Sequence, residues 1–129
     1  MSNTELGYAK YISLTTYRKS GEPVATPVWT VPIADKIYIS TGSQTGKAKR
    51  LRNNDQATVA LCDALGKNVG PAHKATARLV PMSEHPEFRD LMLHKYGFQQ
   101  RMIEVLNKVR SRAKKPAGER VLVEVTVEE

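Results

Sequence analysis

The residues best suited to chemistry lie in the segment between Lys36 and Asn54. Four cations occur within the six residues from Lys47 to Arg52, and no acidic residue follows until position 55. Helical spacing places Lys47 and Arg50 on one face. Two cations beside the free amide groups of a helix N-terminus favour a bound phosphate or carboxylate. The segment therefore predicts an anion site, and a solvated basic helix is the alternative interpretation.

The segment does not match the phosphate-binding loop of nucleoside triphosphatases. That loop requires four residues between its first glycine and a Gly-Lys pair, followed by Ser or Thr. Here Gly42 and Gly46 enclose three residues, and Ala48 follows Lys47. Triphosphate hydrolysis is therefore not expected.

The bulk composition is that of one soluble globular domain covering residues 1–129. The apolar fraction is 40% and the charged fraction is 26%, as in ordinary soluble proteins. No apolar run approaches the roughly 20 residues of a membrane helix, and the N-terminal residues do not resemble a signal peptide. We therefore expect a cytoplasmic protein without a membrane partner.

The net charge of +7 favours an anionic partner without identifying it. Nucleic acid is a remote alternative and not the expected partner, because the tyrosines and basic residues form no recognised binding signature. A second group of cations, from Lys108 to Lys115, is typical of an exposed helix end.

No catalytic residue is identified by the sequence. The three histidines and Cys62 have no metal-ligand spacing, so no metal is expected. Cys62 is interpreted as a buried, inert thiol in a strand. Tyr38 is a weak candidate proton donor. If the chain is an enzyme, a cofactor is expected to supply the reactive atom.

Alternating apolar residues predict six strands, and apolar residues at helical spacing predict four helices. The strands are expected at residues 11–17, 24–33, 36–40, 56–62, 70–80 and 121–127. The helices are expected at residues 3–10, from 47, from a cap at Ser83 to Tyr96, and at 102–109. Consecutive hairpins favour an antiparallel sheet that closes on itself, with helices at its margins.

The second predicted strand has two prolines, Pro27 and Pro32, which indicate an edge, a bulge, or backbone that faces something other than a neighbouring strand. Trp29, the only tryptophan, lies between them. It is interpreted as a core or interface side chain, with ligand stacking as the alternative.

Several motifs together resemble one known superfamily. They are Thr15-Thr16, Gly21-Glu22-Pro23, Pro27-Val28-Trp29, Ile39-Ser40-Thr41 and Lys47-Ala48-Lys49-Arg50-Leu51. The chain resembles the split β-barrel flavin proteins related to pyridoxamine 5'-phosphate oxidase, over residues 11–80. Within them it is most similar to the actinobacterial branch that uses the deazaflavin coenzyme F-420. The resemblance implies a mainly β fold, a six-stranded antiparallel split β-barrel.

The resemblance also implies a function and a site. Family members are homodimers with the cofactor at the subunit interface, and this branch passes hydride between the deazaflavin and a small organic acceptor. The implied cofactor-binding residues are Thr26, Pro27, Val28 and Trp29 around the ring, Ser40 and Thr41 at the phosphate or tail, and Lys47, Lys49 and Arg50 as anion contacts. FMN is the alternative cofactor, and a carrier without turnover is the alternative function.

One departure from the family pattern concerns the substrate. The phosphate oxidases carry Arg early in the second strand and an Arg-Lys pair before the helix, where this chain has Thr26 and Gly46-Lys47. Their C-terminal segment that binds pyridoxal phosphate has no clear counterpart. Pyridoxamine oxidation is therefore not expected, and deazaflavin is favoured.

Overall fold

The computed structural model describes residues 3–97 and 119–128 of the chain. In chain order, the elements are α1 (Asn3–Tyr8), β1 (Ile12–Tyr17), β2 (Pro23–Val28), β3 (Val31–Ile33), β4 (Lys36–Gly42), α2 (Gly46–Asn53), β5 (Gln56–Leu61), β6 (His73–Pro81), a 3-10 helix (Met82–Glu84), α3 (Phe88–Tyr96) and β7 (Arg120–Val127). The helix predicted at residues 102–109 and the cations from Lys108 to Lys115 lie outside the described residues. No helix in the described ranges is long and apolar enough to span a membrane.

Within the described residues, seven strands form one antiparallel sheet in the order β2-β1-β5-β6-β7-β4-β3. Strand β7 pairs with both β6 and β4 and so joins the two halves of the sheet. The mainly β antiparallel architecture expected from the sequence is confirmed.

The single strand predicted at residues 24–33 is instead two strands, and they lie at opposite edges of the sheet. The break falls at Trp29 and Thr30. The Trp29 ring stacks on Tyr96 with centroids 4.3 Å apart, and the Thr30 amide donates to the Tyr96 hydroxyl at 3.0 Å. These contacts with α3 turn the chain out of the first hairpin, so the sheet has seven strands rather than six.

This short connection explains why the sheet curls. Three Cα steps from Val28 to Val31 span at most about 11 Å. Seven strands laid flat would separate the outer two by about 29 Å. Because the two edge strands are linked by only Trp29 and Thr30, the sheet must bend until its edges approach each other.

Apolar side chains from alternate strand positions fill the concave face of the curled sheet. Ile12, Leu14, Ile37, Val123 and Val125 are all completely buried there. Burying one such side chain stabilises the fold by roughly 1.5–3 kcal/mol. This core fixes the strands that carry the candidate site.

Helix α3 covers the opposite face of part of the sheet through Phe88, Met92 and Tyr96. The predicted helix start at Ser83 is wrong, because α3 begins at Phe88 and Ser83 lies in the 3-10 helix. Pro86 explains the interruption, since the residue before a proline is disfavoured in the α conformation. His85 accordingly has φ −135° and ψ 72°.

Candidate functional site

Helix α2 lies at the end of β4 and presents its first turn to the rim of the curled sheet. The Thr45 hydroxyl accepts a hydrogen bond from the Ala48 amide at 3.3 Å and so caps the helix. The same hydroxyl donates to the Gly42 carbonyl, and the Thr41 hydroxyl contacts it at 2.9 Å. Ala48 and Leu51 are buried against the sheet. The predicted helix, with Lys47 and Arg50 on a shared face, is thus positioned by its cap and its apolar side.

Arg50 is tied to β1. Its Nε donates to the Thr16 hydroxyl at 2.6 Å, and Thr16 is completely buried. The guanidinium also lies over Gly46, where an added Cβ would be 2.8 Å from Nη1. Glycine at the helix start therefore gives the Arg50 guanidinium its space.

Arg120, the first residue of β7, brings a third cation that the sequence analysis did not identify. Its Nε and Nη2 donate to the Ser40 hydroxyl at 3.1 and 2.7 Å. Only the pairing of β4 with β7 reveals this contact, because the two residues are 80 positions apart. The structure thus places Ser40, a predicted tail residue, beside an arginine.

Lys47, Arg50 and Arg120 form what we call the cationic arc. Burial lowers the pKa of Lys47, and the charges of Arg50 and Arg120 lower it further. Burial also lowers the pKa of Arg120. Within residues 3–97 and 119–128, no carboxylate forms an ion pair with any of the three. Partly desolvated cations without a counter-charge are an arrangement that a bound anion stabilises.

The predicted ring residues do not present their side chains to one common surface. Thr26 pairs with Leu14, while Pro27 lies on the other face of β2, where Gly66 packs near its ring. Val28 is buried, and Trp29 stacks on Tyr96 with an interplanar angle of 7°. Among the described strands, β2 pairs with β1 alone, so backbone groups along its outer edge are available to a ligand or another chain.

Lys49 is exposed on α2. It lies about 200° around the helix from Lys47, away from the cationic arc. Its role in cofactor binding stays a prediction, and that role would be long-range electrostatic attraction rather than direct contact.

A second group of charges lies outside the predicted site; we call Glu124, Arg78, Lys36 and Tyr38 the Glu124 cluster. The buried Glu124 carboxylate accepts from Arg78 at 2.8 Å, from Tyr38 at 2.9 Å and from Lys36 at 3.3 Å. The Arg78 hydrogen bond is the largest of the contacts that lower the pKa of Glu124 to about 2. An open cavity of about 230 Å³ lies beside this cluster. Every charge in the cluster has a partner.

Tyr38 is poorly suited to donate a proton. Burial and its hydrogen bond to Glu124 raise the pKa of Tyr38 to about 12. Burial, and then Asp63, also raise the pKa of Cys62, which is half-buried just after β5 rather than within it. No group of three metal-ligating side chains occurs in the described part of the chain.

Comparison with solved structures finds the same fold at low sequence identity. A conserved hypothetical protein from Mycobacterium tuberculosis is 20% identical with a TM-score of 0.65, and the match covers 100% of this chain and 82% of that one. An F-420 reductase is 13% identical with a TM-score of 0.62, covering 100% and 95%. A FAD-binding protein from Mesorhizobium loti is 17% identical with a TM-score of 0.57, covering 98% and 88%.

Among curated proteins, no sequence matches this chain significantly. The sequence profile described as pyridoxamine 5'-phosphate oxidase matches residues 3–129. The match spans the curled sheet, α2 and the cationic arc. By this match the chain belongs to the pyridoxamine 5'-phosphate oxidase family.

Proposed function

We propose that this protein is an oxidoreductase that binds coenzyme F-420 and transfers hydride between the reduced deazaflavin and a small organic acceptor. It acts as a cytoplasmic homodimer with the cofactor at the subunit interface. The cationic arc is the observation that carries the proposal. The family membership and the structural similarity to an F-420 reductase support it.

The arc fits the anionic part of such a cofactor. Lys47 belongs to the first turn of α2, and the Arg50 guanidinium lies over Gly46 at the start of that turn. The earliest amide groups of the helix have no partner within it. Arginine binds phosphate or carboxylate with paired hydrogen bonds, and lysine adds a compact charge. Lys47 and Arg50 therefore hold the phosphate and the glutamate carboxylates, and the Thr41 and Thr45 hydroxyls fix the helix start beneath them.

The ring part of the cofactor requires a different surface. The free backbone edge of β2 from Thr26 to Val28 offers hydrogen-bonding groups. At Pro27 the carbonyl is the only such backbone group, because proline has no amide proton. Trp29 closes the end of this edge, held in place by its stack on Tyr96. When bound, the reduced deazaflavin supplies the hydride. The chain's residues orient the cofactor and exclude water from its reactive face.

Two alternatives use the same arc. FMN also carries a phosphate, and the FAD-binding structural neighbour favours flavin recognition on this fold. A carrier that binds a deazaflavin or flavin without turnover needs only the arc and the β2 edge. A basic module for nucleic acid is a remote third candidate, which salt-dependent binding to DNA or RNA tests.

The test is a fluorescence titration of the purified protein with oxidised coenzyme F-420 and, separately, with FMN. We expect tight binding of coenzyme F-420 and weaker binding of FMN. Oxidation of the reduced cofactor in the presence of candidate acceptors then separates an enzyme from a carrier. Preferential binding of FMN would replace the deazaflavin assignment, and binding of neither would refute the proposed function.

A further inference from the structure

The two arginines of the cationic arc are anchored to strands that are not neighbours. Arg50 donates to Thr16 on β1, and Arg120 donates to Ser40 on β4. Strands β5, β6 and β7 separate β1 from β4 in the sheet. Arg120 pairs with Gly42, whose carbonyl accepts a hydrogen bond from Thr45, the N-cap of the helix that carries Lys47 and Arg50. The start of α2 therefore lies beside Arg120. Each guanidinium is thus held at its own place on the rim by a hydroxyl.

Both arginines retain donors for a ligand. A guanidinium has five N–H groups. Ser40 engages Nε and Nη2 of Arg120, so the Nη1 group and a second Nη2 hydrogen remain. Thr16 engages only Nε of Arg50. The anchoring hydroxyls therefore orient the two guanidinium groups and leave N–H donors on each of them for a ligand.

We propose that Arg120 is a specificity-determining residue, which makes the cationic arc select ligands that carry more than one anionic group. A single phosphate beside Lys47 and Arg50 leaves Arg120 without a counter-charge. A ligand with a phosphate followed by carboxylates meets both anchored guanidinium groups. The inference rests on the proposed function only in taking the coenzyme F-420 tail as the ligand.

The principal experiment compares wild type with Arg120→Gln by fluorescence titration against coenzyme F-420 and FMN. We expect the variant to bind coenzyme F-420 about tenfold more weakly, the effect of losing one charge-assisted contact, and FMN less than twofold more weakly. Lys74→Gln is the matched control. It removes one exposed positive charge from β6 and should change neither affinity.

Each outcome decides the matter. An equal loss for both ligands would assign Arg120 to their shared phosphate and overturn the proposal, as would no loss for either. A similar loss of affinity in Lys74→Gln would show that net charge causes the effect, and it would also overturn the proposal. Melting temperatures show whether each variant is folded. We expect little change for Arg120→Gln, because Arg120 is the first residue of its strand and lies outside the apolar core.

A second arm needs no flavin and so separates this inference from the proposed function. The melting temperature is measured with inorganic orthophosphate and with linear tripolyphosphate. We expect wild type to be stabilised more by tripolyphosphate, and Arg120→Gln to lose that difference. If coenzyme F-420 and FMN both fail to bind, this result still decides the role of Arg120. Equal stabilisation by the two anions, or an unchanged difference in the variant, would overturn it.

Ser40→Ala tests the positioning part of the argument. It keeps the Arg120 charge but removes the hydroxyl that holds the fork. We expect a loss of coenzyme F-420 affinity smaller than that of Arg120→Gln, about threefold, with the melting temperature unchanged. A gain in affinity would show that Ser40 competes with the ligand for Arg120, which would contradict the positioning role.

Discussion

The cationic arc and the Glu124 cluster are two groups of charges on the same sheet. They differ in whether the cations have a carboxylate partner. In the Glu124 cluster, one buried carboxylate accepts hydrogen bonds from two cations and a tyrosine. In the arc, three cations share one neighbourhood, and among the described residues its two arginines are anchored by neutral hydroxyls rather than by carboxylates. Removing one member of a paired, buried cluster leaves charges uncompensated and destabilises the fold, whereas cations without counter-charges are available to bind a ligand. The difference separates a structural group from a candidate binding group without reference to any relative.

The strongest test of this comparison removes two cations of the arc. Lys47→Ala with Arg50→Ala should weaken coenzyme F-420 binding about a hundredfold, from two lost charge-assisted contacts. The melting temperature should fall only moderately, because neither side chain lies in the apolar core. The main loss is the Arg50 hydrogen bond to the buried Thr16 hydroxyl, about 1–3 kcal/mol. Fluorescence titration and thermal unfolding measure the two quantities.

The matched control for that double variant is Lys49→Ala with Arg52→Ala. It removes the same charge from the same helix, but from exposed positions. We expect less than about a threefold loss of affinity. Equal losses from the two double variants would mean that net charge, rather than the arc, governs binding.

The reverse pattern is expected for the Glu124 cluster. Glu124→Gln should lower the free energy of unfolding by about 2 kcal/mol, as charged hydrogen bonds are weakened and two cations lose their partner. Cofactor affinity should stay within a factor of two. Urea unfolding measures the change, and Glu128→Gln, an exposed glutamate near the end of β7, is the control that should have no effect. A loss of cofactor affinity in Glu124→Gln would contradict the assignment of the Glu124 cluster to stability rather than to binding.

The same carboxylate predicts how stability depends on acid. Because the folded pKa of Glu124 is lowered to about 2, its contribution is fully present above the unfolded pKa near 4.5. It is lost as the pH falls from there toward 2. We expect the free energy of unfolding to drop by about 1 kcal/mol between pH 6 and pH 4. This decrease should be smaller in Glu124→Gln, and an identical acid profile in that variant would contradict the assignment.

The smallest expected effect concerns the space beneath Arg50. In Gly46→Ala, the new Cβ would lie 2.8 Å from the Arg50 Nη1 atom, so the flexible guanidinium must move. Cofactor affinity should fall about threefold, while stability is unchanged within roughly 0.5 kcal/mol. Gly70→Ala, where the added Cβ would make an ordinary 3.7 Å contact with Leu61, should affect neither. A Gly46→Ala variant with full affinity would mean that the position of the Arg50 fork is unimportant.

Local patterns predicted the parts of the molecule that depend on neighbouring residues. Alternation identified the core strands, and helical spacing placed Lys47 and Arg50 on a shared face of α2. The features that were missed depend on distant residues. The split of the second predicted strand is fixed by Tyr96, 66 positions beyond Thr30. Arg120 reaches Ser40 through a strand pairing that no local pattern encodes.

The predicted cofactor-binding residues were assigned by resemblance, and they fall into two groups in the structure. The anion residues Ser40, Lys47 and Arg50 gather at the cationic arc, together with Arg120. Thr26 and Pro27 lie on opposite faces of β2, since adjacent residues of a strand point in opposite directions. Their predicted role therefore depends on backbone groups, which carry no residue-specific signal in a sequence.

The position of β7 between β6 and β4 has a consequence for how the chain folds during synthesis. Until β7 is made, β2-β1-β5-β6 and β4-β3 have no strand between them, and the inner sides of β6 and β4 are unpaired edges. Leu122, Val123 and Val125, all completely buried, are also missing from the core at that stage. The growing polypeptide therefore has to remain unaggregated with two open edges until residue 127 has left the ribosome. Pulse proteolysis of ribosome-bound chains stopped before and after β7 tests this. We expect resistance to the protease to appear only in the chains that include β7.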